Sequence, residues 1–384
     1  MNQEHTARRP ERAAVPAPAA PLPAALAAYA TGRPDAPYEL LADREDGTVV
    51  RCGPVVAKAH AVDSDEEALA VRMRIAADGA LAGVLLPPLR TQAGSLRGRP
   101  VTLWPYGAPV DPERPEDAPW EAAGRLLAAL HRVPLGALPG PVPPMRGPAK
   151  LRRALARLAR AADVDPAPGR GPRRGTGAGA GADGGPGPDA APVWAAARTL
   201  PAWMRGEAPA PKGGALCHGD LHLGQLVRGS DGSDGAVGSG GSGGTGAGAE
   251  AVGGRRSSRG AGADGATGGG WRLIDVDDLG VGTPSWDLAR PAAWYAAGLL
   301  GADAWGRFLG AYRAAGGPAA GPPGSDPWPE LDLAARALTV QTAALALAKS
   351  VENHRGLDDV ERLMVQSCAR IATLPPDLDG GTPS

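Results

Sequence analysis

Residues 217–227 read CHGDLHLGQLV and put two of the chain's six histidines, a carboxylate and an amide within eight positions, His218 to Gln225. Two chemistries compete for them. On an extended strand alternate residues share a face, so His218, Asp220 and His222 would converge on one metal ion, as in a metallohydrolase. Such a centre needs further ligands from other loops, and His60, His131 and His354 lie in unrelated patterns. In the second chemistry Asp220 orients a hydroxyl for phosphoryl transfer. That reaction also needs an oxygen ligand for a phosphate-bound metal, a second acid for the same metal, and a lysine for the nucleotide phosphates. Gln225, Asp275 in the run Leu273 to Val276, and Lys58 in the run Val55 to Ala59 supply them.

Outward from this stretch, composition marks off the connecting segments. Gly (57) and Pro (41) make up about a quarter of the 384 residues and are concentrated rather than spread. Residues 1–36 read as a disordered Ala/Pro-rich arm, broken by Pro16, Pro18, Pro21 and Pro23 and unlike a signal peptide. Flexible inserts are expected near 165–192 and 229–270, and a short flexible connection at 316–329. A formal net charge of −1 with scattered arginines leaves no basic stripe for nucleic acid, and no apolar run points to a membrane. Three separated cysteines fit free thiols in a cytoplasmic protein, with Cys217 a small apolar residue ending a buried strand rather than a nucleophile.

The residues between these tracts fall into two kinds. From Tyr38 to Trp104, short β-like runs alternate with turns, and a capped helix spans 63–77. Residues 82–86 and 101–104 read as two further strands. From Pro119 helical spacing prevails over 120–131, 150–162, 193–204, 284–300, 304–315, 331–353 and 358–373; only 215–227 and 271–276 look like strand or loop. The expectation is an α+β, bilobal chain: a small β-rich lobe over 37–107 that binds nucleotide, and a larger helical lobe over 108–384. Trp104 and Tyr106 fall where the lobes join, placed either to hold a base or to pack the junction.

HGDLHLGQ at 218–225, followed by IDVDDLGVGTPSWDLA at 274–289, resembles the paired signature of the aminoglycoside phosphotransferase and choline kinase superfamily, which has the protein-kinase-like fold. The HLGQ run also resembles the maltokinase-like branch. The resemblance spans about residues 38–373 and implies a kinase that uses ATP and Mg²⁺ on a small-molecule hydroxyl. It implies Asp220 as the catalytic carboxylate, Asp275 and Gln225 as metal ligands, and Lys58, Trp104 and Tyr106 at the nucleotide. Asp287 would hold the catalytic loop through backbone N–H groups, and His218 would brace it, with Thr283 capping the helix that carries Asp287. The chain departs from the family pattern at Gln225, where Asn is usual. It also has no Gly-rich phosphate loop beyond the Asp46–Gly47 turn, and only Glu66 and Glu67, early in their helix, to pair with Lys58. These departures keep a pseudokinase-type ligand binder as the alternative. The dispersed acids after Thr283 point to a neutral or singly charged acceptor, such as a sugar or amino alcohol, rather than a polycation.

Overall fold

The computed structural model describes residues 20–44, 46–163, 190–211, 214–229 and 270–374. The inserts expected at 165–192 and 229–270 fall almost wholly outside them. The chain divides into two compact units, residues 1–64 with 93–106, and residues 65–92 with 107–384.

The first unit holds helix α1 (Leu22–Thr31) and strands β1 (Glu39–Arg44), β2 (Gly47–Cys52), β3 (Val55–His60), β4 (Gly94–Leu96) and β5 (Arg99–Pro105). The strands form one antiparallel sheet in the order β1-β2-β3-β5-β4. Alternation sends Val50, Ala57, Ala59, Val101 and Leu103 to one face, where Leu26 and Ala27 of α1 cover them. Helix α1 corrects the expectation of a disordered arm to residue 36. Pro21 stands at its N-cap and Pro23 in its first turn, positions where a missing N–H costs nothing, and Gly32 closes it at φ +71°. The same prolines that break a longer helix start this one.

The second unit begins with helix α2 (Glu66–Ala76) and strand β6 (Gly107–Pro109). It continues through α3 (Trp120–His131), α4 (Gly147–Asp163), α5 (Ala191–Arg198) and α6 (Ala202–Arg205). Strands β7 (Ala215–Cys217), β8 (Leu226–Gly229), β9 (Trp271–Leu273) and β10 (Gly280–Gly282) follow, then helices α7 (Ser285–Ala296), α8 (Ala302–Ala314), α9 (Trp328–Glu352) and α10 (Asp359–Ile371). Helix α9 is long and apolar enough to cross a membrane, but most of it is buried inside this unit. Its Ala337, Val340, Ala343, Ala344 and Leu347 share one core with Leu151, Leu155 and Leu158 of α4, Trp286 of α7, and Met364 and Cys368 of α10. It is the core helix of the unit.

Several expectations change here. Helix α2 groups with the helical unit, not the β-rich one, because buried Arg72 donates from Nε to the Leu279 carbonyl (2.8 Å). Residues 82–86 make bridges to Leu273 in place of a strand. The helix expected over 193–204 breaks into α5 and α6 at Pro201, which cannot donate within a helix. Segment 316–329 is organised by Arg313, whose guanidinium donates to the carbonyls of Ala320 (2.9 Å) and Ser325 (2.8 Å). Thr283 offers α7 its carbonyl, to Trp286 N–H (2.9 Å), and no side-chain cap.

Candidate active site

Two loops of the second unit lie side by side because the strands that bound them pair. Strand β7 runs antiparallel to β10, with Cys217 opposite Gly280, and β8 runs antiparallel to β9, with Leu226 opposite Leu273. The loop 218–225 therefore faces the segment 274–279. Ile274 N–H donates to Gln225 O (3.0 Å), and His218 Nε2–H donates to Ile274 O (2.8 Å).

Asp287 of α7 fixes the first turn of the 218–225 loop. Its fully buried carboxylate accepts the backbone N–H of His218 (2.6 Å) and of Gly219 (2.7 Å), and His131 Nε2–H (3.0 Å). His131 Nδ1 accepts the Tyr312 hydroxyl (2.8 Å), which itself accepts Ala319 N–H (3.2 Å). Burial pushes the Tyr312 phenol up, so it stays a donor. Gly219 adopts φ +86°, and a Cβ there would lie 2.5 Å from Asp278 O; no other residue type fits.

Asp220 follows, with both carboxylate oxygens in use. Lys150 Nζ reaches Oδ2 (2.9 Å) and Arg290 Nη2 reaches Oδ1 (2.7 Å), while Lys150 also pairs with Asp278. Burial works to raise Asp220, but the Lys150 charge and then that of Arg290 overcome it and bring the group down to about 2. Asp220 is therefore ionised throughout the physiological range. Lys150 reaches it because Gly147 lets the start of α4 press on Trp286: a Cβ there would fall 2.1 Å from the indole Nε1.

Residues 48–237 match the profile of the phosphotransferase enzyme family. That stretch is just under half of the chain. None of the curated proteins matches it. Among solved structures, it is similar to a choline/ethanolamine kinase family protein from Mesorhizobium loti, with 15% identity over 89% of this chain and 90% of that one, at a TM-score of 0.47. It is also similar to a spectinomycin phosphotransferase in complex with ADP and spectinomycin, with 11% identity, coverage of 88% and 89%, and a TM-score of 0.47. A third is a thermostable mutant of an aminoglycoside phosphotransferase, with 14% identity, coverage of 88% and 94%, and a TM-score of 0.49.

The three-residue metal cluster does not form among the described residues. His218 spends Nε2 on Ile274, and His222 turns Nδ1 to accept Gly224 N–H (3.1 Å). Among the described residues, the group close enough to share an ion is His131, Cys217 and Asp287, a buried set in which Asp287 is already bonded to His131 and to two backbone N–H groups. Gln225 and Asp275, by contrast, do meet: the amide Nε2 donates to Asp275 Oδ2 (3.3 Å). Rotating that amide presents its carbonyl oxygen instead, which puts two hard oxygen ligands side by side. The pair fits Mg²⁺, which takes few protein oxygens and keeps water and phosphate for the rest. Asp275 is held at φ +61°, a left-handed conformation that Asp tolerates better than most residues and that bulkier side chains would resist.

In the first unit, Lys58 of β3 lies opposite Thr102 of β5, on the sheet face away from α1, and Trp104 shares that face. Trp104 Nε1–H donates to Thr102 Oγ1 (2.9 Å). Tyr106 spends its N–H on Pro54 O (2.8 Å) and lies under the Arg51 guanidinium, 3.5 Å from the ring centroid. Glu66 and Glu67 are exposed in the first turn of α2.

Sequence reasoning missed Lys150, Arg290 and Asp278. Arg290 directly follows the DLA of the second motif and Asp278 lies within that motif, so both were in view as charges. Lys150 carries no local signal: 70 residues separate it from Asp220.

His222 gives the site a pH signature. Burial first, and the Arg290 charge second, bring it down from 6.5 to about 4. Between those values the unfolded chain binds the proton more readily, so stability falls as pH drops from about 6.5 toward 4. Below the lower value both states are protonated and His222 adds no further loss. We expect about 3 kcal/mol across this window, read from denaturation midpoints at fixed ionic strength. His222→Asn should flatten the slope; an unchanged slope in that variant would place the effect elsewhere.

Proposed function

We propose that this chain is an ATP- and Mg²⁺-dependent kinase acting on a hydroxyl group of a small molecule. The observation that carries the reading is Asp220, ionised and fixed at the end of β7, beside a loop that presents Asp275 together with Gln225. The acceptor oxygen bonds to the γ-phosphorus as the bond from that phosphorus to the β–γ bridging oxygen breaks, and ADP leaves with the electron pair. Asp220 aligns the acceptor O–H and takes its proton as the new bond forms; such transfers are loose, so positioning matters more than base strength. Lys150 and Arg290 hold the carboxylate in one orientation and keep it charged. Bound Mg²⁺ would neutralise the phosphate oxygens, with Asp275 and Gln225 as its protein ligands. Lys58 is the candidate for the nucleotide phosphates, and Trp104 with Tyr106 for the base.

The test is nucleotide binding with and without metal. MgATP at a hundred times its dissociation constant should add about 2.7 kcal/mol of stability, and ATP with chelator much less. Asp275→Ala should raise the Mg²⁺ concentration needed for half-maximal turnover at least about tenfold, because a charged ligand is lost. Unchanged Mg²⁺ dependence in that variant would remove Asp275 from the metal site, and stabilisation by Zn²⁺ alone would remove the kinase reading.

A further inference from the structure

Asp220 also lines a pocket formed wholly within the second unit. Gly219, Asp220 and Leu221 form one wall; Trp286 and Arg290 of α7, and Leu338 and Gln341 of α9, form the other. The helical spacings, four residues on α7 and three on α9, turn each pair to one face. Gln341 is 94% buried, and its Oε1 has no hydrogen-bond partner. A buried unpaired carbonyl is costly, and in a pocket beside a candidate catalytic carboxylate it is a ready acceptor for a ligand's O–H.

We propose that this pocket binds an uncharged polyhydroxyl compound of carbohydrate type, and that Gln341 is a specificity-determining residue for it. The proposal rests on the kinase reading above and names its acceptor class. Three properties of the lining select this class. It carries one carboxylate, Asp220, paired with one guanidinium, Arg290 (2.7 Å), and Lys150 behind Asp220 is itself shared with Asp278, so the lining presents no excess charge of either sign to a polycation or a polyanion. Lys150 and Arg290 already occupy the two carboxylate oxygens that an ammonium group would seek. Leu221, Leu338 and Trp286 offer apolar surface to the C–H faces of a ring, while Asp220 and Gln341 offer oxygens to its hydroxyls. In the reaction the hydroxyl nearest Asp220 gains the phosphoryl group and loses its proton, and ADP is released; the hydroxyl on Gln341 stays intact and fixes which position reacts.

The experiment measures ADP release by the full chain with MgATP. The acceptors are D-glucose, trehalose and myo-inositol as neutral polyols, choline as a monocation, kanamycin as a polycation, and glycerate as an anion. A neutral polyol should have the highest kcat/KM, at least about tenfold above the charged compounds. Gln341→Leu and Gln341→Met, the second close in length and shape, should raise KM for that polyol about tenfold, as expected for one lost hydrogen bond, with kcat within about threefold. A charged compound leading the panel overturns the proposal, as does an unchanged KM in both variants. MgATP binding without transfer to any neutral polyol overturns the acceptor class alone. Failure of MgATP to bind, together with no transfer to any compound, overturns the kinase reading on which it rests.

Discussion

Asp220→Asn is expected to lower turnover by about two to four orders of magnitude, the usual worth of a positioned acid–base group, while MgATP affinity stays within about threefold. The substitution keeps the size of the side chain and one acceptor oxygen, so the loop from His218 to Gln225 has little reason to move. It removes the charge that aligns the acceptor hydroxyl and takes up its proton. Lys150 keeps Asp278 as a partner, whereas Arg290 loses its carboxylate and keeps the Leu221 carbonyl. ADP release and nucleotide-induced stabilisation, measured on the same preparation, separate the two effects. A variant retaining more than about a tenth of the rate would show that Asp220 neither orients the hydroxyl nor takes its proton. The group also titrates at about 2, so an acid limb of the rate profile near pH 5 would belong to another residue.

The paired motifs were legible because they are local: a loop and a following helix whose roles depend on spacing within a few residues. The family resemblance implied that Asp287 holds the loop backbone, and the structure places its two oxygens on the N–H groups of His218 and Gly219. Alternation and helical spacing also separated a β-rich region from a helical one. What the sequence hid was decided by tertiary contact. Whether α2 belongs with the sheet or with the helices depends on where the Arg72 guanidinium finds its carbonyl, 207 residues away. Residues 316–329 have the composition of a flexible connection, but a single Arg313 satisfies carbonyls that would otherwise face water. The acceptor pocket is the extreme case: Gln341 lies in a helix whose apolar residues surround it on most sides, and nothing in WPELDLAARALTVQTAALALAKSVE distinguishes it from a surface glutamine. The three-ligand metal reading failed because 218–225 is a loop, not a strand, and each of its two histidines turns one ring nitrogen to a separate backbone group.

The second large effect is on stability. Asp287→Ala should destabilise the chain by about 3–5 kcal/mol, because it removes a buried carboxylate that several buried N–H donors share. Three donors lose their acceptor at once: the N–H groups of His218 and Gly219 and the His131 ring N–H, all buried and too deep for water to replace the carboxylate. Each orphaned donor costs about 1–3 kcal/mol, but they share one cavity and one relaxation, so the sum overstates the loss. Tyr312→Phe supplies the comparison. It breaks the outer link, leaving His131 Nδ1 without its donor and Ala319 N–H without its acceptor, but leaves the carboxylate and the loop in place. Its cost should be about 1–2 kcal/mol, with turnover nearly intact. Urea midpoints of the three proteins would rank them, wild type above Tyr312→Phe above Asp287→Ala, provided each unfolds with a similar slope. Turnover should fall only in the alanine variant, because only there is Asp220 released from the end of β7. If Asp287→Ala costs less than about 1 kcal/mol, the pairing of β7 with β10 is sufficient to hold the catalytic loop, and Asp287 is dispensable to it.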